Sequence, residues 1–368
     1  MKRKTRALIV MTMTLLLIAG LVSLSPASKV AAASTSSRLH GANLAWLDGQ
    51  YGHDIGTNFL FNWGCSYNHS HMQKYFQDMR KMNLNIVRIW LFENLEGLKF
   101  DSGDNVSGLD ATLITNLRDT IAIAKANNIQ LYLTLLNGCD VNSFEFPLSA
   151  DHQTLRNRLI NIIQDPGKRA TYLNNAVGPL AAAFKGESQI YAFDVINECE
   201  GAVTGADGNI IGPGVSWDTM RSFILGTVTK IKSADATRQV TSTSGWHDWN
   251  NVMNGKFSGL GLDFYDFHVY DSAGYIPEYS TLNLDKPAIL GEYGQKQNTS
   301  WDDTLQNDAT RNFLTNCRNK GYDAGSLIWT YGYAGSTEIF NLLNSDRSWR
   351  PVCYTAVAGF PWTGYCDS

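Results

Sequence analysis

Charge is scarce in this chain. Asp, Glu, Lys and Arg make up 17% of its 368 residues, and the formal net charge is −4. That balance excludes a polyphosphate partner, because nucleic acids are held mainly by Lys and Arg at phosphates. Anionic membrane surfaces are disfavoured for the same reason. The first 33 positions hold five basic residues and no acidic one, so the chain from Ser34 onward carries 25 basic against 34 acidic residues. A neutral partner such as a sugar chain meets no such barrier.

Several chemical signatures are also missing. There is no C-x-x-C pair and no Cys/His cluster with zinc spacing. No H-E-x-x-H or strand-one H-x-H pattern offers a catalytic metal its ligands, and no G-x-S-x-G elbow marks an esterase nucleophile. The expectation is therefore no metal and no cofactor. Pro/Ser/Thr linkers and internal repeats are absent, which points to one domain without an appended binding module. A 44% hydrophobic and 11% aromatic composition rules out intrinsic disorder.

The one long apolar run is N-terminal. MKRKTR precedes an apolar stretch from Ala7 to about Leu24 and a small-residue stretch ending at Ala33. This is the pattern of a secretory signal cleaved near Ala33, the alternative being an uncleaved anchor helix. The expected division is 1–33 signal and 34–368 mature domain, extracellular, monomeric and free of the membrane once cleaved.

Apolar runs alternate with helical patterns through the rest of the chain. Strands are predicted at Leu39–Trp46, Asn85–Phe92, Gln130–Leu136, Ile190–Glu198, Val240–Trp246, Phe264–Tyr270, Ala288–Tyr293 and Ser326–Tyr331. Helices are predicted at Met72–Met82, Leu109–Asn127, about Leu155–Phe184 with a break at Pro166-Gly167, Trp217–Ser233 and Asp302–Asn319. Strands apolar on both faces and separated by helices imply a covered parallel sheet. Eight such units suit a closed α/β TIM barrel, (β/α)8. A doubly wound open sheet is the alternative, although LHGANLAW leads into no Gly-rich phosphate turn.

Active sites in this barrel lie at the C-terminal ends of the strands. The fourth strand ends in Asn197-Glu198 and the seventh in Gly291-Glu292-Tyr293. His268 and Tyr270 share one face of the sixth, Arg88 lies in the second, and the eighth carries Trp329. Each alone has an ordinary explanation, such as a loop acid or a satisfied core histidine. Together, two glutamates ending apolar strands on one rim are costly to bury unless paired or used.

These residues resemble clan A of the glycoside hydrolases, and most of all family 5, the cellulase and mannanase family. The resemblance rests on Arg88 in RIW, Asn197-Glu198, His268-x-Tyr270, Glu292 in LGEYG and Trp329 in IWTY. It implies a retaining β-glycosidase with Glu198 as acid/base and Glu292 as nucleophile. It further implies that Asn197 binds the sugar 2-hydroxyl and that Trp329 is the sugar platform. Arg88 and Tyr270 would hold Glu292 ionised, with His268 near the reacting sugar. Two positions depart from many members: Cys199 follows Glu198 in place of Pro, and Leu136-Asn137-Gly138-Cys139 ends strand three where a His is common.

Aromatics add to this. Trp46, Trp63, Trp90, Trp246 and Trp249 fall near strand ends, where rings stack on the apolar faces of sugars or pack in the core. Trp46, Trp246 and Asn137 complete the candidate substrate-contact set. The expected partner is a polysaccharide or oligosaccharide, β-mannan or β-glucan, cut internally. The alternatives are an exo-acting enzyme or an inactive carbohydrate-binding barrel. Six cysteines allow fifteen pairings. Strands three and four are neighbours, which makes Cys139–Cys199 the first expected bridge; Cys353–Cys366 is the second, with free thiols as the alternative.

Overall fold

Eight apolar runs form the barrel strands: β1 (Leu39–Asn43), β2 (Ile86–Trp90), β3 (Gln130–Asn137), β4 (Ile190–Asn197), β5 (Gln239–Thr241 and Thr243–Ser244), β6 (Tyr265–Tyr270), β7 (Ala288–Gly294) and β8 (Gly325–Ile328). The computed structural model describes residues 38–141, 149–205, 214–270, 274–294, 303–322 and 324–331. Every neighbouring pair of these strands is parallel, in the order β5–β4–β3–β2–β1–β8–β7–β6–β5. The two pieces of β5 flank Ser242. The first pairs with β4 through Phe193 and Val240, and the second with β6 through Phe267 and Ser244. The ring is therefore continuous except for this one-residue seam.

The helices lie between successive strands. They are α1 (His69–Lys81), α2 (Ala111–Asn127), α3 (Ala150–Gln164), α4 (Trp217–Ala234) and α5 (Asp303–Asn319), with a further helical stretch from Pro166 to Ala183. Side chains of Asn68, Asp110, Ser149 and Ser216 accept a backbone N–H at the first turn of α1 to α4. Each such cap contributes about 1 kcal/mol. The sequence pattern puts the start of α2 at Leu109; it starts at Ala111 because Asp110 caps it. Leu113, Leu117, Ile121 and Ala124 form the buried stripe of α2 at helical spacing. A short antiparallel hairpin, Leu98–Phe100 with Val106–Leu109, is an addition that the sequence pattern does not predict.

Core packing divides in two. Most buried side chains fill the space between strands and helices. A smaller cluster of Leu39, Ile86, Tyr132, Ala192, Phe264, Ile289 and Leu327 comes from the beginnings of the strands and plugs the barrel floor. Side chains on one strand face recur every second residue. Two residues beyond this floor the chain therefore delivers Arg88, Thr134, Asp194 and Asp266, all buried. The apolar floor thus supports a polar layer, and the polar layer supports the rim.

Cys139 and Cys199 are both unbridged, which corrects the expected pairing. Their backbones lie on adjacent strand ends, but their side chains diverge. Cys139 Sγ faces Glu198 Oε2 at 3.4 Å, whereas Cys199 is buried within the apolar core. Cys65 and Cys317 are also free. Cys353, Cys366 and the N-terminal segment 1–33 lie outside the described residues. Among the described residues, no helix is long and apolar enough to cross a membrane.

Candidate active site

The rim gathers the two glutamates at the ends of β4 and β7. Glu198 immediately follows β4 in a left-handed conformation with φ 40°. That turn lifts its side chain out of the strand's alternation and over the barrel mouth. Glu292 reaches the interior through an irregularity in β7. Leu290 pairs with Phe267, yet Glu292 pairs with His268, so one residue is skipped at Gly291. The Gly291 N–H donates to Asp266 Oδ1 at 2.9 Å, and a Cβ at this position would collide with the same carboxylate at 2.1 Å. Only glycine permits the shift that brings Glu292 beside His268.

One oxygen of each glutamate and a ring nitrogen of His268 lie within 4.8 Å of one another. Arg88 Nη1 donates to Glu292 Oε1 at 2.6 Å, and Tyr270 Oη–H donates to Glu292 Oε2 at 2.5 Å. Both oxygens of Glu292 thus accept hydrogen bonds, the arrangement of an ionised carboxylate. Burial pushes the Glu292 carboxyl above its usual value, and His268 and Arg88 offset only part of that rise.

Glu198 has different partners. His268 Nδ1 is 2.7 Å from its Oε1, and Trp246 Nε1 donates to Oε2 at 3.3 Å. The imidazole nitrogen can give or take a proton, and it also lies 3.3 Å from Glu292 Oε2, so His268 stands between the two carboxyls. Burial would raise Glu198, but the hydrogen bond and charge of His268 outweigh it and hold the carboxyl below its usual value. Burial would lower His268, but Glu292 and Glu198 outweigh it and raise the imidazole. His268 Nδ1 and Glu198 Oε1 thus lie one 2.7 Å hydrogen bond apart at the mouth of the site.

Arg88 anchors the floor of the site. Its Nη2 donates to Asp194 Oδ2 at 2.8 Å and Asn197 Oδ1 at 2.7 Å, and its Nη1 also reaches Asn43 Oδ1 at 3.2 Å. Its guanidinium lies 4.4 Å from the Trp90 ring centroid and 5.5 Å from that of Tyr132. Burial would lower its pKa, but Asp194 and Glu292 override this and keep it charged. Glu198, His268 and Glu292 are also close enough to hold a cation. The fixed charge of Arg88 at 2.6 Å from Glu292 already neutralises that position and opposes a divalent ion there.

Every candidate named from the sequence is described. Arg88, Asn197, Glu198, Trp246, His268, Tyr270 and Glu292 join one hydrogen-bonded cluster, and Asn137 bonds Asn197 from β3. Half-buried Trp46 and Trp329 meet edge to face at 6.2 Å, with Trp90 buried beside Trp329 at 5.6 Å. Trp90 is therefore core packing, and Trp249 packs on Phe267 and Tyr275. Cys139, expected in a bridge, joins the site as a free thiol, and Asn43, Asp194 and Asp266 join it without sequence warning. Their one signal is polarity inside strands that are otherwise apolar.

Comparison with known proteins agrees with this geometry. Residues 48–335 match the family model described as cellulase, glycosyl hydrolase family 5. A mannan endo-1,4-beta-mannosidase of Mytilus edulis is 28% identical over 297 residues, covering 70% of this chain and 76% of that protein. One of Cryptopygus antarcticus is 25% identical over 337 residues, covering 81% of each. The crystal structure of endo-1,4-beta-mannanase from Eisenia fetida superimposes with a TM-score of 0.63 at 24% identity, covering 88% of this chain and 92% of that one. The chain belongs to glycosyl hydrolase family 5 and is a glycoside hydrolase with a (β/α)8 barrel.

Proposed function

We propose that this enzyme is a secreted, retaining endo-β-mannanase that acts by double displacement. The observation that carries the reading is the approach of Glu198 and Glu292 to within 4.8 Å, atom to atom, across the barrel mouth. Retaining enzymes hold their carboxyl groups about 5–5.5 Å apart, whereas inverting ones leave about 6.5–9.5 Å for a water. The two mannan endo-1,4-beta-mannosidases among its relatives favour β-mannan over β-glucan as substrate. The basic, apolar and small-residue succession of residues 1–33 favours export and removal of that segment, leaving 34–368 as the catalytic domain.

In the first step a Glu292 oxygen attacks the anomeric carbon and the bond to the leaving sugar breaks. The leaving oxygen takes a proton from Glu198. His268, hydrogen-bonded to Glu198, stands where it can return a proton to that carboxyl. Once Glu292 is esterified its negative charge is gone, and Glu198 becomes the base that removes a proton from the incoming water. Water then attacks the same carbon and the ester bond to Glu292 breaks. Asn197 would hold the sugar 2-hydroxyl through the second Nδ2 hydrogen, the first being committed to Asn137. Trp329 and Trp46 would give the apolar face of the sugar its platform.

The test is a panel of β-mannan, glucomannan and β-glucan polymers with product analysis and NMR of the first-formed anomer. Internal cleavage of mannan with the β-anomer released supports the reading. Binding without cleavage, or the inverted anomer, refutes it.

A further inference from the structure

A second carboxyl pair lies behind the site. Glu93 follows β2 and Asp140 follows β3, and both are buried. Each oxygen of Asp140 has a donor: Tyr51 Oη–H gives to Oδ1 at 2.5 Å, and the Asn94 N–H gives to Oδ2 at 2.9 Å. Glu93 Oε1 accepts from Asn137 Nδ2 at 2.7 Å, while its buried Oε2 has no hydrogen-bond donor. The Glu93 and Asp140 carboxyls are neighbours, and the charge of Asp140 acts on Glu93. Two buried carboxylates side by side do not both ionise readily, and a buried oxygen without a donor favours the protonated form. Since Asp140 accepts at both oxygens, the proton belongs on Glu93 Oε2. Burial pushes both groups up, Asp140 to about 6 and Glu93 further, in keeping with one retained proton.

The pair leads to the substrate side through an unbroken relay. Asn137 gives its Nδ2 to Glu93, which turns its Oδ1 toward the Cys139 N–H at 3.0 Å and Asn197 Nδ2 at 3.0 Å. Asn197 then presents its Oδ1 to Arg88 Nη2 at 2.7 Å. Reversing either carboxamide would set donor against donor at Arg88 or Cys139 and acceptor against acceptor at Glu93. We propose that Glu93 and Asp140, sharing one proton, are positioning residues that fix the orientation of Asn197 through Asn137.

This inference rests on the role given above to Asn197, and its test separates the two. Glu93→Gln keeps the acceptor for Asn137 and replaces the shared proton with an amide N–H toward Asp140, so kcat/KM should stay within about threefold of the parent. Glu93→Ala should lower kcat about 10- to 100-fold with KM nearly unchanged, because the misplaced contact matters most in the transition state. In an Asn137→Ala background the same change should cost no more than about twofold, since the relay is already cut. The infrared carbonyl band of a protonated carboxyl should be lost from wild type to Glu93→Gln, and a crystal structure of Glu93→Ala should show the Asn137 carboxamide turned.

A Glu93→Ala enzyme with unchanged kcat, losses that multiply with Asn137→Ala, or a Gln variant as damaged as the Ala variant would overturn the proposal. So would an infrared spectrum that Glu93→Gln leaves unchanged. If the parent cleaves no polysaccharide, the proposed function falls. The infrared and crystallographic results still decide whether the pair holds a proton and orients Asn137.

Discussion

Gly245 leaves the space that Glu198 occupies: a Cβ on Gly245 would sit 2.1 Å from Glu198 Oε1 and 2.2 Å from its Cδ. The carboxyl is thus seated against bare backbone just past β5. Its other contacts, His268 and Trp246, hold it from the remaining sides. Gly245→Ala should push the carboxyl off His268 and lower kcat by about 100-fold, the cost of a misplacement near 1 Å. The colliding atoms end a flexible side chain, so thermal unfolding should move little. An Ala variant with full activity would show that Glu198 acts from another position.

The two glutamates should fail differently on substitution. Glu292→Ala removes the nucleophile and should abolish turnover of every substrate. Glu198→Ala should lose about 10²–10⁴-fold on polysaccharide, where the leaving group needs protonation. An aryl glycoside with an acidic phenol should still form the intermediate, and azide should restore turnover and yield the β-glycosyl azide. Normal cleavage of mannan by Glu198→Ala, or azide rescue giving the α-product, would reverse the assigned roles.

Tyr270→Phe removes one of the donors that favour the charged form of Glu292. A lost hydrogen bond to a charged group raises the carboxyl pKa by about one unit. The acid limb of kcat/KM should therefore move to higher pH by about that amount, because Glu292 must be ionised to attack. An unmoved acid limb in the pH–rate profile would mean that Tyr270 does not act on Glu292.

Stability should also report on a third buried pair, Asp54 and Glu96. Asp54 Oδ2 accepts the Leu47 N–H at 2.8 Å and Glu96 Oε2 accepts the Gly56 N–H at 3.1 Å, and the other oxygen of each carboxyl is buried without a partner. Burial raises Asp54 to about 7 and Glu96 well above its usual value. The folded state therefore binds more protons than the unfolded chain, and stability falls as pH rises from near 4 to about 7. Asp54→Asn should flatten this part of the curve and raise Tm at pH 8 relative to wild type by a few °C, on the order expected for one to two kcal/mol. Parallel Tm–pH curves for variant and parent would show that the pair holds no such proton. The other raised carboxyls, Glu93, Asp140, Asp194, Glu200, Asp266 and Glu292, are present in both proteins and drop out of the difference.

The barrel was legible because its strands are apolar on both faces, and residues such as Val87 and Ile89 on β2 leave Arg88 conspicuous between them. Glu198 and Glu292 were legible as acids at the ends of such runs. Asp194 and Asp266 were not, because a single acid inside a strand reads alike whether it faces solvent or Arg88. Glu93 and Asp140 lie in short loops whose meeting depends on the neighbouring strands being in register. The Cys139–Cys199 expectation failed at the same level. Strand adjacency brings backbones together, but the turn at Glu198 decides where each sulfur points. The hairpin over 98–109 was hidden by its polar, Gly-containing link, which has the composition of an ordinary loop.

Arg88 is paired with Asp194, 106 residues further on, and with Glu292, 204 further on. An early fragment of the chain that closed around β2 would enclose a guanidinium with neither counter-ion in reach, at a cost of several kcal/mol. Half-formed barrels are thereby penalised until β4 and β7 arrive. The charge at the centre of the site thus favours assembly of β2, β4 and β7 together over early collapse of a nascent or truncated chain.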